Sequence, residues 1–322
     1  MERCSVRWAS LLLCFWACHA LAQAEYPARA VRIIVPSPPA GGTDILGRVL
    51  ADHFSKAFGQ QFFVENKPGA GNIIGIEAAA RAAPDGYTLL MSASPLALNT
   101  VLYKQVPYDP VRDFAPITLA ATAPNILIVH PGVPAKSLAE FIALAKQKPG
   151  ALSYGTPGIG TSPHLCMELL KTMAGIDVQH VPYRGTAAAV TDVISGQIAV
   201  AFATALAAKP QVDAGRVRAL AVSGPRRVEA LPNVPSVAEA GVPGYEAMQW
   251  YGLLAPAGVP GRIIERLHAE AITALRSREM KDRLATDGAE PLGSTPAEFA
   301  AFIRRELDKW GRVVESARIE RQ

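Results

Sequence analysis

"VRIIVPSPPAGGTDILGRVLADHFSKAFG", residues 31–59, sets the architecture of the chain. Val31, Ile33, Ile34 and Val35 form a short β-branched run that stops at Pro36, the pattern of a buried parallel strand. Three prolines and two glycines then fall within "VPSPPAGGTD" (35–44), so the chain turns sharply there. Beyond the turn, Ile45, Leu46, Val49, Leu50, Phe54 and Phe58 recur at helical spacing, and Gly59 marks the C-terminal stop. Strand, tight turn and amphipathic helix together make half of a βαβ unit.

The same order continues downstream. "QFFVENKPGAGN" reads as strand and turn, "IIGIEAAARAA" as helix, "PDG" as turn and "YTLLMSAS" as strand. A second round follows, with "KSLAEFIALAKQ" as helix, "LSYGTPGIGTSPH" as a strand entering another glycine-rich turn, and "LCMELLKTMAG" as the next helix. "VQHVPYRG", "AAVTDVISG", "IAVAFA" and "RVRALAVSG" carry the alternation further, and the chain from "PGRIIERLHAEAITALRS" onward is mostly helical. The pattern predicts an α/β protein of two similarly built lobes, each around a parallel sheet.

Composition narrows the function. The chain has 322 residues, half of them hydrophobic, which is enough for one large or two moderate cores. Its net charge is +4, and the basic residues are scattered without a basic tract, which argues against a nucleic-acid partner. Six histidines show no HxxxH or HExxH spacing, so no metal and no cofactor are expected. At the start, Arg3 and Arg7 precede the apolar "ASLLLCFWA", and "ALAQA" follows with small residues at Ala22 and Ala24. This order predicts a secretory signal peptide over 1–24, cut after Ala24. The apolar stretch is shorter than the ~20 residues that a spanning helix needs. Cys4, Cys14 and Cys18 fall in that leader, leaving Cys166 alone as a core-filling thiol with no disulfide.

A turn between a parallel strand and a helix lies at the carboxyl edge of the sheet, where open α/β sheets bind ligands. Unpaired N–H groups of the helix start favour an anion there. Gly41 and Gly42 allow close backbone approach, and Thr43 or Asp44 is expected to cap the helix. No G-x-G-x-x-G or Gly-Lys-Ser/Thr is present, and Asp44 would repel a polyphosphate, so a carboxylate fits better than a nucleotide. A plain tight turn with a capped helix remains the alternative for this loop taken alone. The second loop adds Thr156, Gly158, Gly160, Thr161 and Ser162, all small and rich in donors. His164 has two readings: a neutral residue supporting this loop, or a base acting with Ser162 or Thr161 in a secreted hydrolase or transferase. No G-x-S-x-G elbow accompanies it, which favours the first. Trp250 and Tyr251 are read as packing rather than as a cleft wall.

The blocks "YPARAVRIIVPSPPAGGTD", "VENKPGAGN", "APDGYTLLM", "YDPVRDFAPIT", "LSYGTPGIGTSPHL", "VPYRGTAAAVTDVISGQI", "GRVRALAVSGPRR", "LPNVPSVAEAGVPGYE" and "WYGLLAPAGVP" run in order through residues 26–310. In them the chain resembles the Bug family of periplasmic solute receptors, the binding component of tripartite tricarboxylate transporters. The resemblance implies a two-lobed α/β fold of the Venus-flytrap type, similar to type II periplasmic binding proteins, with a hinge of crossover strands. It implies no catalytic activity, a small organic acid as ligand (a mono-, di- or tricarboxylate, aromatic acids included), permease subunits as partners, a monomeric state and a periplasmic location. Carried over by motif, the ligand site comprises Ser37, Pro38, Ala40, Gly41, Gly42, Thr43 and Asp44 in one lobe, with Ser92, Ser94 and Asn99. Thr156, Gly158, Gly160, Thr161, Ser162, His164, Tyr183 and Arg184 complete it from the other, and Thr204 stands where many relatives carry an aspartate or asparagine. The lobes are expected at 25–125 with 248–322, and at 126–247.

Overall fold

The computed structural model describes residues 26–39, 41–183, 185–286, 288–317 and 319–321; the expected leader and cleavage point, Ala40 and Arg184 lie outside the described residues. The opening stretch folds as its pattern requires. Strand β1 (Val31–Val35) is followed by helix α1 (Gly42–Phe58), which ends on Gly59 in the left-handed conformation. Leu46, Leu50 and Phe54, four residues apart, pack against Val31, Ile33 and Val35, while Ile34 faces the other side of the sheet. Parallel strands β2 (Phe62–Asn66) and β3 (Thr88–Ala93) flank β1. Helix α2 (Ile73–Ala80) lies on the second face, with Ile76 and Ala79 against Ile34 and Leu90.

The sheet is mixed rather than all-parallel. After helix α3 (Pro95–Leu102) comes strand β4 (Phe114–Val129), whose first part runs antiparallel to β9 (Met248–Pro256), itself antiparallel to β3. β4 is 16 residues long and serves two sheets. Phe114–Pro124 pair with β9, whereas Asn125–Val129 pair with β7 (Val200–Thr204), and Ile126–Val129 pair also with β8 (Arg218–Val222). The exchange falls at Pro124, which has no N–H to donate. The second sheet adds β5 (Ser153–Thr156) and β6 (Gln179–Pro182), parallel to each other, with β5 parallel to β7. Around it pack α4 (Leu138–Gln147), α5 (Ser162–Ala174), α6 (Thr186–Ile194) and α7 (Ala205–Asp213). Helices α3 and α7 were not anticipated, α7 because Pro210 inside it and the short "TALAA" lead-in resemble a loop.

The C-terminal part supplies α8 (Gly261–Arg276), α9 (Arg278–Thr286), the two-residue β10 (Glu290–Pro291) on β4, and α10 (Pro296–Ser316). α10 starts at a reciprocal cap between Thr295 and Glu298. No described helix is long and apolar enough to cross a membrane.

Candidate functional site

Strand register brings the two predicted loops to one gap. Ala93, the last residue of β3, is paired with Tyr251, which is paired with Ala121 of β4. Thr204, the last residue of β7, is paired with Asn125 of the same strand. At about 3.3 Å per residue, these points lie ~13 Å apart along β4. The carboxyl edges of both parallel layers therefore open on the junction where β4 changes sheets. The loops after β1, β3, β5 and β7 surround that junction.

In the first loop, the Ser37 hydroxyl is buried and has no hydrogen-bond partner among the described residues; Ser92 Oγ at the end of β3 is in the same condition. Unpaired buried hydroxyls are uncommon and mark a place where a polar partner is missing. Pro38 and Gly41 are exposed. The N-cap of α1 is Gly41, in extended conformation with no side-chain cap, so neither Thr43 nor Asp44 caps the helix. Both lie in its buried first turn, and the Asp44 carboxylate accepts from Arg48 Nε and Asn66 Nδ2, each at 2.9 Å. It is thereby committed to the protein. The amides of this first turn lie beyond the reach of intrahelical acceptors. Asn66 also donates to the Ser37 carbonyl at 3.0 Å and so staples both ends of the loop. Gly42 lies against Tyr251: a Cβ there would come 2.6 Å from its hydroxyl. Ser94 donates to Gln249 Oε1 and accepts from the backbone N–H of Trp250, and Asn99 Nδ2 donates to the Gly71 carbonyl. These two therefore brace the loops.

The second loop is organised by histidines. His164 Nδ1 accepts the Gly160 N–H at 3.3 Å, which requires an unprotonated nitrogen. Its ring lies 4.4 Å from that of His180, whose Nε2 bonds Thr156 Oγ1 at 2.6 Å. Burial, with His180 adding a smaller effect, pushes His164 down to about 3, so it is neutral near pH 7. Thr156 Oγ1 also accepts from Gly158 N, and Thr161 Oγ1 donates to the Gly158 carbonyl. Ser162 Oγ accepts from Asn125 Nδ2, whose backbone lies at the strand junction. Among the described residues His164 makes no hydrogen bond to Ser162 or Thr161. Tyr183 donates to Asp192, and Thr204 precedes α7 without capping it. Cys166 is fully buried, as is Trp250, which packs edge-on against Phe299 and Phe302.

A cavity of about 200 Å³ opens between the lobes. Gly71, Asn72, Pro95, Asn99, Leu102 and Tyr103 line it from one side, Ile159, Gly160 and Thr161 from the other. Asn66, His180 and Asn125 were not singled out from the sequence, nor were Leu102, Tyr103 and Ile159. The blocks "VENKPGAGN" and "VPYRGTAAAVTDVISGQI" pass through or next to Asn66 and His180, but nothing in a block says which side chain turns inward.

Two α/β lobes sharing a strand, with donor-rich loops of each on one gap, define a solute-binding receptor of the periplasmic binding-protein type. A family profile described as "Tripartite tricarboxylate transporter family receptor" matches residues 46–319. The protein BugT of Bordetella pertussis is 36% identical over 291 residues, covering 90% of this chain and 89% of BugT. A structure of Rpa4515 from R. palustris with adipate superposes with a TM-score of 0.78 at 35% identity, covering 91% of this chain and 98% of that one. MatC of Rhodopseudomonas palustris with bound malate gives a TM-score of 0.75 at 30% identity, covering 90% and 100% respectively. The chain belongs to the tripartite tricarboxylate transporter family of receptors.

Proposed function

We propose that the protein binds a small organic carboxylate in the gap between its lobes and hands it to the membrane permease of a tripartite tricarboxylate transporter. It works in the periplasm as a monomer, after loss of residues 1–24, and does no chemistry on the ligand. The observation that carries the reading is the pair of buried hydroxyls of Ser37 and Ser92, which have no hydrogen-bond partner among the described residues. Neutral donors of this kind suit a carboxylate and need no counter-cation. The adipate and malate bound by related receptors support the same class. Ser37, Gly41, Gly42 and Ser92 hold the carboxylate, and the 156–164 loop closes over it. Lobe one comprises 25–125 and 248–322, lobe two 126–247, and ligand favours the closed arrangement.

Titration calorimetry with acetate, hexanoate, adipate and benzoate against the matching amides tests the reading, with the ligand pool assayed afterwards. Binding of acids but not amides, with the acid recovered unchanged, is expected. Consumption of the acid would revive a hydrolase or transferase using His164 with Ser162 or Thr161.

A further inference from the structure

Asp44 poses an electrostatic problem for a loop that takes an anion. Its side chain is 3% exposed, and it lies two residues beyond Gly42 in the first turn of α1. At about 1.5 Å per residue, that is ~3 Å along the helix axis from Gly42. A carboxylate so placed repels a carboxylate ligand across ground that water screens poorly. The structure sets Arg48 against it, one turn further on, with Nε donating to Asp44 Oδ2 at 2.9 Å. Arg48 Nη2 donates to Asn66 Oδ1 at 3.0 Å, and Asn66 Nδ2 donates to Asp44 Oδ1 at 2.9 Å, which closes a ring of three side chains. A guanidinium can only donate, so it draws the Asn66 oxygen towards itself and leaves the amide protons for Asp44 and the Ser37 carbonyl. Lys67, next to Asn66, and Arg32 both bond Glu65 instead. The Arg48 side chain is 53% exposed, so its replacement leaves no hole in the core.

Resting on the carboxylate reading above, we infer that Arg48 is a positioning residue of the anion site. It cancels the charge of Asp44, and without it the first loop repels the ligand it is shaped to hold. Neutral donors hold the ligand, while the cation offsets the protein's own buried carboxylate. The Arg48–Asp44 pair therefore sets affinity for the carboxylate head, whatever the rest of the acid carries.

Titration calorimetry at pH 7.5 tests this with whichever of acetate, hexanoate, adipate and benzoate the parent binds. Arg48→Gln keeps a donor for Asp44 but removes the charge, and affinity is expected to fall about tenfold or more. Arg48→Lys restores the charge and is expected to recover most of that loss. Adding Asp44→Asn to Arg48→Gln removes both charges and is expected to bring affinity back to within about threefold of the parent. Unchanged affinity in Arg48→Gln overturns the inference while leaving the carboxylate reading intact. A double variant that melts like the parent yet stays about tenfold weaker overturns it as well, because Arg48 then acts through loop shape alone. Failure of all four acids with the parent overturns the inference and the carboxylate reading together.

Discussion

Gly160 and Leu102 meet across the two lobes: a Cβ on Gly160 would stand 2.7 Å from Leu102 Cδ1. Gly160 also has φ +77, a conformation that side-chain-bearing residues adopt at a cost of about 1–2 kcal/mol. Gly160→Val therefore opposes both the loop shape and the approach of the lobes. Affinity for the preferred acid is expected to fall more than tenfold, measured by calorimetry, while the far-ultraviolet spectrum stays that of the parent.

Gly41 and Gly42 are adjacent and have different demands. At Gly41 a Cβ meets only the Pro38 carbonyl, at 3.9 Å, and φ is an ordinary −84. At Gly42 it meets the buried Tyr251 hydroxyl. Gly41→Ala is expected to keep stability within about 0.5 kcal/mol and Gly42→Ala to lose about 1–3 kcal/mol in urea unfolding.

Asn66→Ala removes the bonds to the Ser37 carbonyl and the Asp44 carboxylate together. It also removes the acceptor of Arg48 Nη2, and a loss of about 1–3 kcal/mol is expected from the three bonds. Ligand affinity should fall as well, because the loop is no longer held at both ends. Calorimetry beside urea unfolding reads both quantities, and unchanged affinity would show that Asn66 supports the fold alone.

Phe299 and Trp310 share α10 but occupy different cores. Phe299 and Ile303 pack with Ile34, Leu90 and Trp250 of the first sheet's core, whereas Trp310, Val313 and Val314 pack with Leu127, Val129 and Leu165 around the second. One helix thus ties both cores, in addition to β4. Phe299→Ala and Trp310→Ala are each expected to cost about 3–5 kcal/mol and to shift one common thermal transition. Two separated transitions in either variant would show that the helix does not couple the cores.

His164 links stability to pH. The unfolded chain takes up its proton near pH 6.5, whereas the folded protein resists until about 3. Burial also lowers His180. The stabilisation is therefore complete above pH 6.5 and is lost as pH falls towards 3, by up to about 1.4 kcal/mol per pH unit for one such group. His164→Gln keeps an acceptor for Gly160 N–H without titrating. Its urea midpoint should fall less than the parent's between pH 7.5 and 5.

Much of the lobe design was legible. The aliphatic run ending at Pro36, the helical spacing of Leu46, Leu50 and Phe54, and Gly59 as a stop all rest on neighbours within a few residues, and local pattern reports local structure. The loops at 35–44 and 156–164 were found for the same reason. The cap was misassigned because Thr43 and Asp44 are competent capping residues and their burial against distant partners outweighed that preference. Mixed strand direction was hidden, because β9 and β3 meet across more than 150 residues of chain.

The sequence by itself determined two α/β units, a donor-rich loop at each, and membership of a receptor family, since these follow from short-range periodicity and ordered blocks of residues. The tertiary structure decided which groups have free bonding capacity. Asp44, Ser94 and Asn99 are chemically suited to a ligand but are spent on Arg48, Gln249 and Gly71, while the Ser37 and Ser92 hydroxyls have no partner among the described residues. It also decided that Leu102 and Ile159 line one chamber. Hydrogen-bond saturation and the closing of a cavity depend on residues far apart in the chain, and only the folded arrangement brings them within bonding distance.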